Sequence, residues 1–335
     1  MCRTTNGADI NFIDIYKDTV EDILQDKRIR KDGKLSANQK DGRGNICPVT
    51  IIMPTLAMEA DRDVEKFMTL LDTKIHEAKD MLIERYEYIC SQCADSAKFM
   101  YENGTMMGYK PEEGIRSAMK HGTLAIGQIA LAETLELLIG KNQCTPEGME
   151  LAKRIEQLFK DRCAEFKQKY KLNFGVYYTP AENLCYTAMK KFKAKYGVIK
   201  NVSDREYFTN SIHVPVWEEV SAFRKIDIES QLTGYSNAGC ITYVELSSAA
   251  TGNLEALESL VNYAMDHDIP YFAVNIPNDI CLKCGYTGEF NDHCPECGSH
   301  NIQQLRRVTG YLTGNYKTAF NYGKQKEVED RVKHI

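Results

Sequence analysis

The chain has 335 residues, a formal net charge of −5, 43% hydrophobic and 27% charged residues. This is ordinary globular usage, which excludes a wholly disordered chain. With 22 glycines a collagen repeat is excluded, and the acidic balance excludes a global basic field that would recruit nucleic acid. At about 100–200 residues per domain, the length predicts two domains or one large barrel.

Residues 1–6 carry no apolar core of a signal peptide, and no apolar run reaches the roughly 18 residues that a membrane helix needs. The best run, 124–139, is interrupted by Gln128, Glu133 and Glu136. A reducing cytoplasmic compartment without membrane partners is the expectation. There the twelve cysteines read as metal ligands, catalytic thiols or inert core rather than disulfides.

In chain order, residues 17–45 read as a charged, exposed loop that closes on the turn Gly42-Arg43-Gly44-Asn45. Residues 49–53 predict a strand stopped by Pro54. From 63 to about 100 the spacing of Phe67, Leu70, Leu71, Ile75, Leu82, Tyr86 and Ile89 predicts a helix. Cys90 and Cys93 then fall inside it, as small core residues on one helical face. A second helix is predicted over 124–139, ending at Gly140. A third opens on Thr145 as N-cap with Pro146 in the first turn. Strands follow at 174–178, 241–246 and 271–276, with a helix over 254–266. The alternation predicts an α/β architecture with partly parallel strands.

The strongest local signal comes next. Cys281-Leu282-Lys283-Cys284-Gly285 and Cys294-Pro295-Glu296-Cys297-Gly298 are two Cys-x-x-Cys-Gly turns. Each brings two thiolates onto one tight turn, and two such turns supply the four soft ligands of tetrahedral zinc. A complete cysteine set leaves His293 and His300 no ligand duty. A closed site of this kind is structural, and by itself fits either a nucleic-acid-binding ribbon or a clamp on a terminal segment.

The segment after the ribbon carries a resemblance. Arg306-Arg307-Val308-Thr309-Gly310-Tyr311-Leu312, then Phe320-Asn321-Tyr322-Gly323-Lys324 with Glu327, Arg331 and His334, resembles the glycyl-radical segment of anaerobic (class III) ribonucleoside-triphosphate reductases. So do Gly42-Arg43-Gly44-Asn45, His121-Gly122-Thr123, Thr179-Pro180-Ala181-Glu182, Asn210-Ser211-Ile212-His213 and Gly239-Cys240-Ile241-Thr242. Met1-Cys2-Arg3-Thr4 looks like the family's finger-loop motif. The resemblance runs nearly end to end, yet matches the C-terminal half of a complete member, so a fragment or one piece of a split enzyme is expected.

That resemblance implies the following. The fold is the C-terminal half of a ten-stranded α/β barrel over 1–278, followed by a four-cysteine zinc ribbon over 279–300 and a radical loop and tail over 301–335. Gly310 stores a radical generated by an iron–sulfur, S-adenosylmethionine-dependent activating enzyme. Cys2 relays it as a thiyl radical to a ribonucleoside triphosphate, and formate (or a dithiol) supplies the reducing equivalents. Cys281, Cys284, Cys294 and Cys297 hold Zn2+, and Asn45 contacts substrate or else bonds its own turn. Further partners are the missing N-terminal half and a second copy when complete; direct nucleic-acid binding is not expected.

The residue types suit this chemistry. Glycine has no side chain to prevent flattening about a radical Cα. A thiol S–H is close in strength to both a glycine Cα–H and a ribose C3′–H, so hydrogen atoms move either way. Two alternatives stay open at this point: a glycyl-radical enzyme acting on another small substrate, and a non-catalytic zinc-ribbon interaction protein.

Overall fold

The computed structural model describes residues 7, 9–11, 44–106, 108–290, 292–308, 311–313 and 315–334. Cys2, Gly310 and positions 17–43 of the predicted charged loop lie outside the described residues.

The first half is built on three parallel strands. β1 (Asn45–Ile52) leads into α1 (Met53–Glu59) and the long α2 (Val64–Cys90). After short α3 (Lys98–Glu102) and α4 (Arg116–Met119) come β2 (Thr123–Ile129), α5 (Leu131–Ile139), α6 (Pro146–Tyr170), β3 (Asn173–Tyr178) and α7 (Leu184–Tyr196). The sheet order is β1-β2-β3, with Val49 opposite Ile126 and Ile126 opposite Val176. The central strand β2 is buried at every residue, as expected for a strand covered on both faces. α2 packs on β1 and α6 on β3. Phe67, Leu71, Ile75 and Leu82 form the inner stripe of α2, and Ile155, Phe159 and Phe166 that of α6. Each such side chain contributes about 1.5–3 kcal/mol on burial.

The second half adds α8 (Ala222–Thr233), β4 (Thr242–Glu245), α9 (Leu254–Asp266) and β5 (Phe272–Asn275). β4 and β5 are parallel, and Ile226, Val244, Leu260 and Ala264 form the core between them and the two helices. The chain entering β4 continues alongside β3, through the parallel bridge Tyr177–Gly239 and the bond from Tyr178 N–H to the Gly239 carbonyl. The described residues thus hold five parallel strands in an α/β arrangement. A four-stranded sheet follows, order β7-β6-β8-β9, from β6 (Asn278–Cys281), β7 (Thr287–Gly288), β8 (Ile302–Val308) and β9 (Tyr311–Thr313), all antiparallel. α10 (Tyr316–Ala319) and α11 (Tyr322–Glu329) complete the tail.

Local signals account for many boundaries. Thr145 Oγ1 accepts from Gly148 N–H at 3.1 Å and caps α6; Asn253 caps α9 through Ala256 N–H at the same distance. Such a cap is worth about 1 kcal/mol.

Three expectations are corrected. Pro54 does not merely stop a strand: it occupies the first turn of α1, where its missing N–H costs nothing. The helix predicted over 124–139 is a strand followed by a helix. A continuous apolar run does not distinguish the two states, and the break falls at Ala130, whose φ of 66° is left-handed. Cys90, the last residue of α2, is half-buried and packs against the core, whereas Cys93 lies beyond the helix and is exposed, so the two do not share one buried helical face.

Candidate functional site

The two Cys-x-x-Cys turns meet. Cys281 Sγ lies 3.6 Å from Cys297 Sγ and Cys284 Sγ 3.7 Å from Cys294 Sγ, and all four sulfurs lie within 4.8 Å of one another. Tetrahedral zinc with Zn–S near 2.3 Å requires S···S separations of about 3.8 Å, so the donor set fits the ion in both chemistry and size. The turns are built alike. Gly285 N–H donates to the Cys281 carbonyl and Gly298 N–H to the Cys294 carbonyl, both at 2.9 Å. These glycines take φ of +77° and +66°, a region that a side chain would strain. The Cys284 backbone N–H draws the Cys281 thiol down to about 6. The Tyr286 amide favours the Cys284 thiolate, but burial and the three neighbouring thiols push that group up to about 12. A divalent cation removes this competition among crowded sulfurs. His293 and His300 stay outside, each bonded to Asp292.

The cluster is tied to β8. Asp279, fully buried on β6 between β7 and β8, takes a forked ion pair from Arg306 and accepts from Phe290 N–H at 2.8 Å. Gln304 Nε2 donates to the Phe290 carbonyl at 2.8 Å. β8 then pairs with β9, Val308 opposite Tyr311.

The tail returns to the parallel strands through buried charges. Lys324, fully buried, pairs with Glu327. Arg331 reaches Glu245 of β4 and Glu327 of α11. His334 Nδ1 accepts from Glu245 N–H, and its own N–H donates to the Glu245 carbonyl, both at 2.8 Å. Burial, with Lys225 adding to it, pushes the His334 imidazole down to about 3, so it stays neutral. His334 shares a small cavity with His213, Lys225 and Tyr243. There Lys225 Nζ lies 2.5 Å and His213 Nδ1 3.3 Å from Glu229 Oε1.

At the other end of the sheet, residues 9–11 are fastened to the starts of β2 and β3. Asp9 Oδ2 meets His121 Nδ1 at 2.8 Å, and Asp9 Oδ1 accepts from Asn173 Nδ2 at 2.8 Å. Ile10 N–H donates to Asn173 Oδ1, and Asn11 Nδ2 to the carbonyls of Lys120 and Lys171. Against the cost of burial, the His121 and Asn173 hydrogen bonds hold Asp9 below its ordinary range.

Of the predicted site residues, the structure brings the four cysteines together. Asn45 is the first residue of β1; its Nδ2 donates to the Ala238 carbonyl at 3.0 Å, and its buried Oδ1 has no partner among the described residues. The Asp9–His121–Asn173 anchor, the Glu229 group and the Arg331 contacts were not predicted. The i,i+4 pair Lys225/Glu229 was available as a signal on the face of α8; Arg331 lies beyond the end of α11, and the contacts of Asp9 carry no such signal.

Comparison with known proteins decides the family. The model of the family "Anaerobic ribonucleoside-triphosphate reductase" matches residues 2–334. The chain belongs to that family. It is 33% identical over 312 residues to the anaerobic ribonucleoside-triphosphate reductases of Salmonella typhimurium and Escherichia coli. Each match covers 88% of this chain and 43% of the relative, so the chain spans less than half the length of these reductases. Solved structures share the fold. One titled "Anaerobic ribonucleotide reductase" superposes with a TM-score of 0.69 at 20% identity, covering 87% of this chain and 45% of that one. The Thermotoga maritima anaerobic ribonucleotide reductase in complex with dATP and CTP gives 0.66 at 21%, with the same coverage of each chain. Among the described residues no helix is long and apolar enough to cross a membrane.

Proposed function

We propose that this chain is the radical-bearing part of an anaerobic ribonucleoside-triphosphate reductase. It would correspond to the C-terminal half of the ten-stranded barrel, with a zinc ribbon and a radical loop. The observation that carries the reading is the four-cysteine cluster at the end of β6, where Cys281 pairs with Ile302 at the start of β8, the strand whose sequence continues through Arg306-Arg307-Val308 to Thr309-Gly310. A metal there clamps the base of the loop, which is a mechanical and not a catalytic duty.

In this reading an S-adenosylmethionine-dependent activating enzyme removes a hydrogen atom from Gly310. The Gly310 radical takes hydrogen from the Cys2 thiol, and the Cys2 thiyl radical abstracts the 3′-hydrogen of a ribonucleoside triphosphate. The 2′-hydroxyl takes up a proton and leaves as water. Formate is oxidised to carbon dioxide as it supplies the two electrons, and the 3′-hydrogen returns from Cys2. Asn45, with a buried amide oxygen that has no partner among the described residues, is assigned to the substrate face. Turnover would require the part of a reductase that this chain's match does not cover, and the edge of β1, which has one strand partner among the described residues, and the short β4–β5 sheet would pair with it.

The test is anaerobic electron paramagnetic resonance of the zinc-loaded chain with activating enzyme, S-adenosylmethionine and a reductant, alone and with the complementary part of a reductase. A carbon-radical doublet absent from Gly310→Ala supports the reading. Absence of the doublet in the complemented, folded chain would refute it.

A further inference from the structure

Beyond residues 302–305, β8 leaves the shelter of β6. Their pairing ends at Asn278–Leu305, and β9 becomes the strand partner over Arg306, Arg307 and Val308. Three residue pairs make a weak ladder, and a two-stranded hairpin is marginal without further support. At that point one side chain from the tail intervenes. Arg331 Nη1 donates to the Arg307 carbonyl at 2.7 Å and lies 3.1 Å from Glu245 Oε1, while Nη2 lies 3.4 Å from Glu327 Oε1. The side chain is only 8% exposed.

We infer that Arg331 is a positioning residue for β8, the strand that precedes Gly310 in the sequence, fixing the Arg307 carbonyl to β4 and α11 at once. The inference rests on the reading of Gly310 as the radical position and deepens it. The guanidinium is planar, permanently charged and forked, so it serves a carbonyl and two carboxylates on different elements with one rigid group. Its partners are held in turn. Asn275 Nδ2 donates to Glu245 Oε1 at 2.8 Å, and Lys324 pairs with Glu327. Two carboxylates thus face one guanidinium and one ammonium, so the buried group is neutral overall and its geometry is set from three sides. A lysine at 331 keeps the charge but offers a single point of contact on a flexible stem. Arg307 stands three residues before Gly310 in the sequence.

Hydrogen exchange read by mass spectrometry tests this on the full zinc-loaded chain. Arg331→Met is expected to speed exchange in peptides spanning 302–313 at least tenfold, leaving α2 and α6 unchanged. Arg331→Lys should recover part of the protection, and it serves as the readout if the methionine variant does not fold. Unchanged exchange over 302–313 in Arg331→Lys and Arg331→Met, or equal acceleration across the whole chain, would overturn the inference. The resonance experiment separates it from the functional reading. Wild type without a Gly310 doublet but with Arg331-dependent protection sinks the radical and keeps the anchor. A normal doublet with identical decay and exchange in the variants does the reverse.

Discussion

Asp9 and His121 stand 112 positions apart and meet at 2.8 Å, with side chains 1% and 2% exposed. The pair joins the N-terminal segment to the turn that starts β2, and Asn173 at the start of β3 closes the triangle through Asp9 Oδ1. One carboxylate thus bonds to two strand origins at once, beside the Ile10 and Asn11 contacts to the same region.

Removing either partner leaves a buried polar group without its counterpart. Asp9→Ala and His121→Ala should each cost about 3 kcal/mol. The double variant should cost less than their sum, by a coupling of about 1–2 kcal/mol in a double-mutant cycle from urea unfolding. Additive costs would show that the contact contributes nothing. Because Asp9 is held below its ordinary value of 3.8, its contribution is present above that pH and is lost as the pH falls through the lowered value. The cycle at pH 7 therefore reads it in full.

The four-cysteine centre should bind one equivalent of zinc per chain, released by a thiol-modifying reagent and detected with a chromogenic chelator. Cys281→Ser or Cys297→Ser should abolish retention and expose 278–308 to protease, while α2 and α6 stay protected. Structural zinc of this type contributes on the order of 10 kcal/mol to the folding of its own module. A zinc-free chain with an intact, protease-resistant 278–308 would contradict a structural role.

Glu229 is fully buried and neutralised by Lys225 at 2.5 Å, with Val214 N–H donating to the same oxygen at 3.0 Å. Glu229→Gln strands the ammonium and should destabilise by about 3–5 kcal/mol. The double change Lys225→Met, Glu229→Gln should recover a large part of that loss, since it removes the charge that the single variant leaves buried. Thermal melts of the three variants decide this, and a harmless single variant would show that the pair is dispensable.

Glu156 sits between Gln128 and Tyr178, and burial pushes its carboxyl up to about 8 from 4.5. From pH 4.5 to 8 the folded chain holds a proton that the unfolded chain has released. Stability from this group therefore falls as the pH rises through that window and levels off above it. Glu156→Gln removes the penalty. It should match wild type near pH 5 and exceed it at pH 8.5 by a few kcal/mol in urea unfolding at fixed zinc, by the order of magnitude of such a shift. A pH-independent difference between the two proteins would contradict it.

Much of the fold was legible where one short window holds the physics. The α6 start rests on Thr145 and Pro146, and the apolar spacing over 254–266 places α9; both lie where the sequence puts them. Residues 124–139 were misread because hydrophobicity alone does not separate a doubly covered strand from a buried helix. The four-cysteine cluster was the most legible part of the site. Its members come in two local turns whose spacing specifies the geometry of each half.

By itself the sequence determined the α/β alternation, the Thr145 cap, the two cysteine turns and the family resemblance, all of which rest on neighbours within a few positions or on recurring motifs. Only the tertiary structure decided that Asp9 meets His121, that His213 joins Glu229, and that Arg331 holds the Arg307 carbonyl against β4 and α11. Those contacts join residues whose separation along the chain carries no periodicity. Burial makes each of them consequential, because a charge withdrawn from water must find its partner wherever the fold brings one.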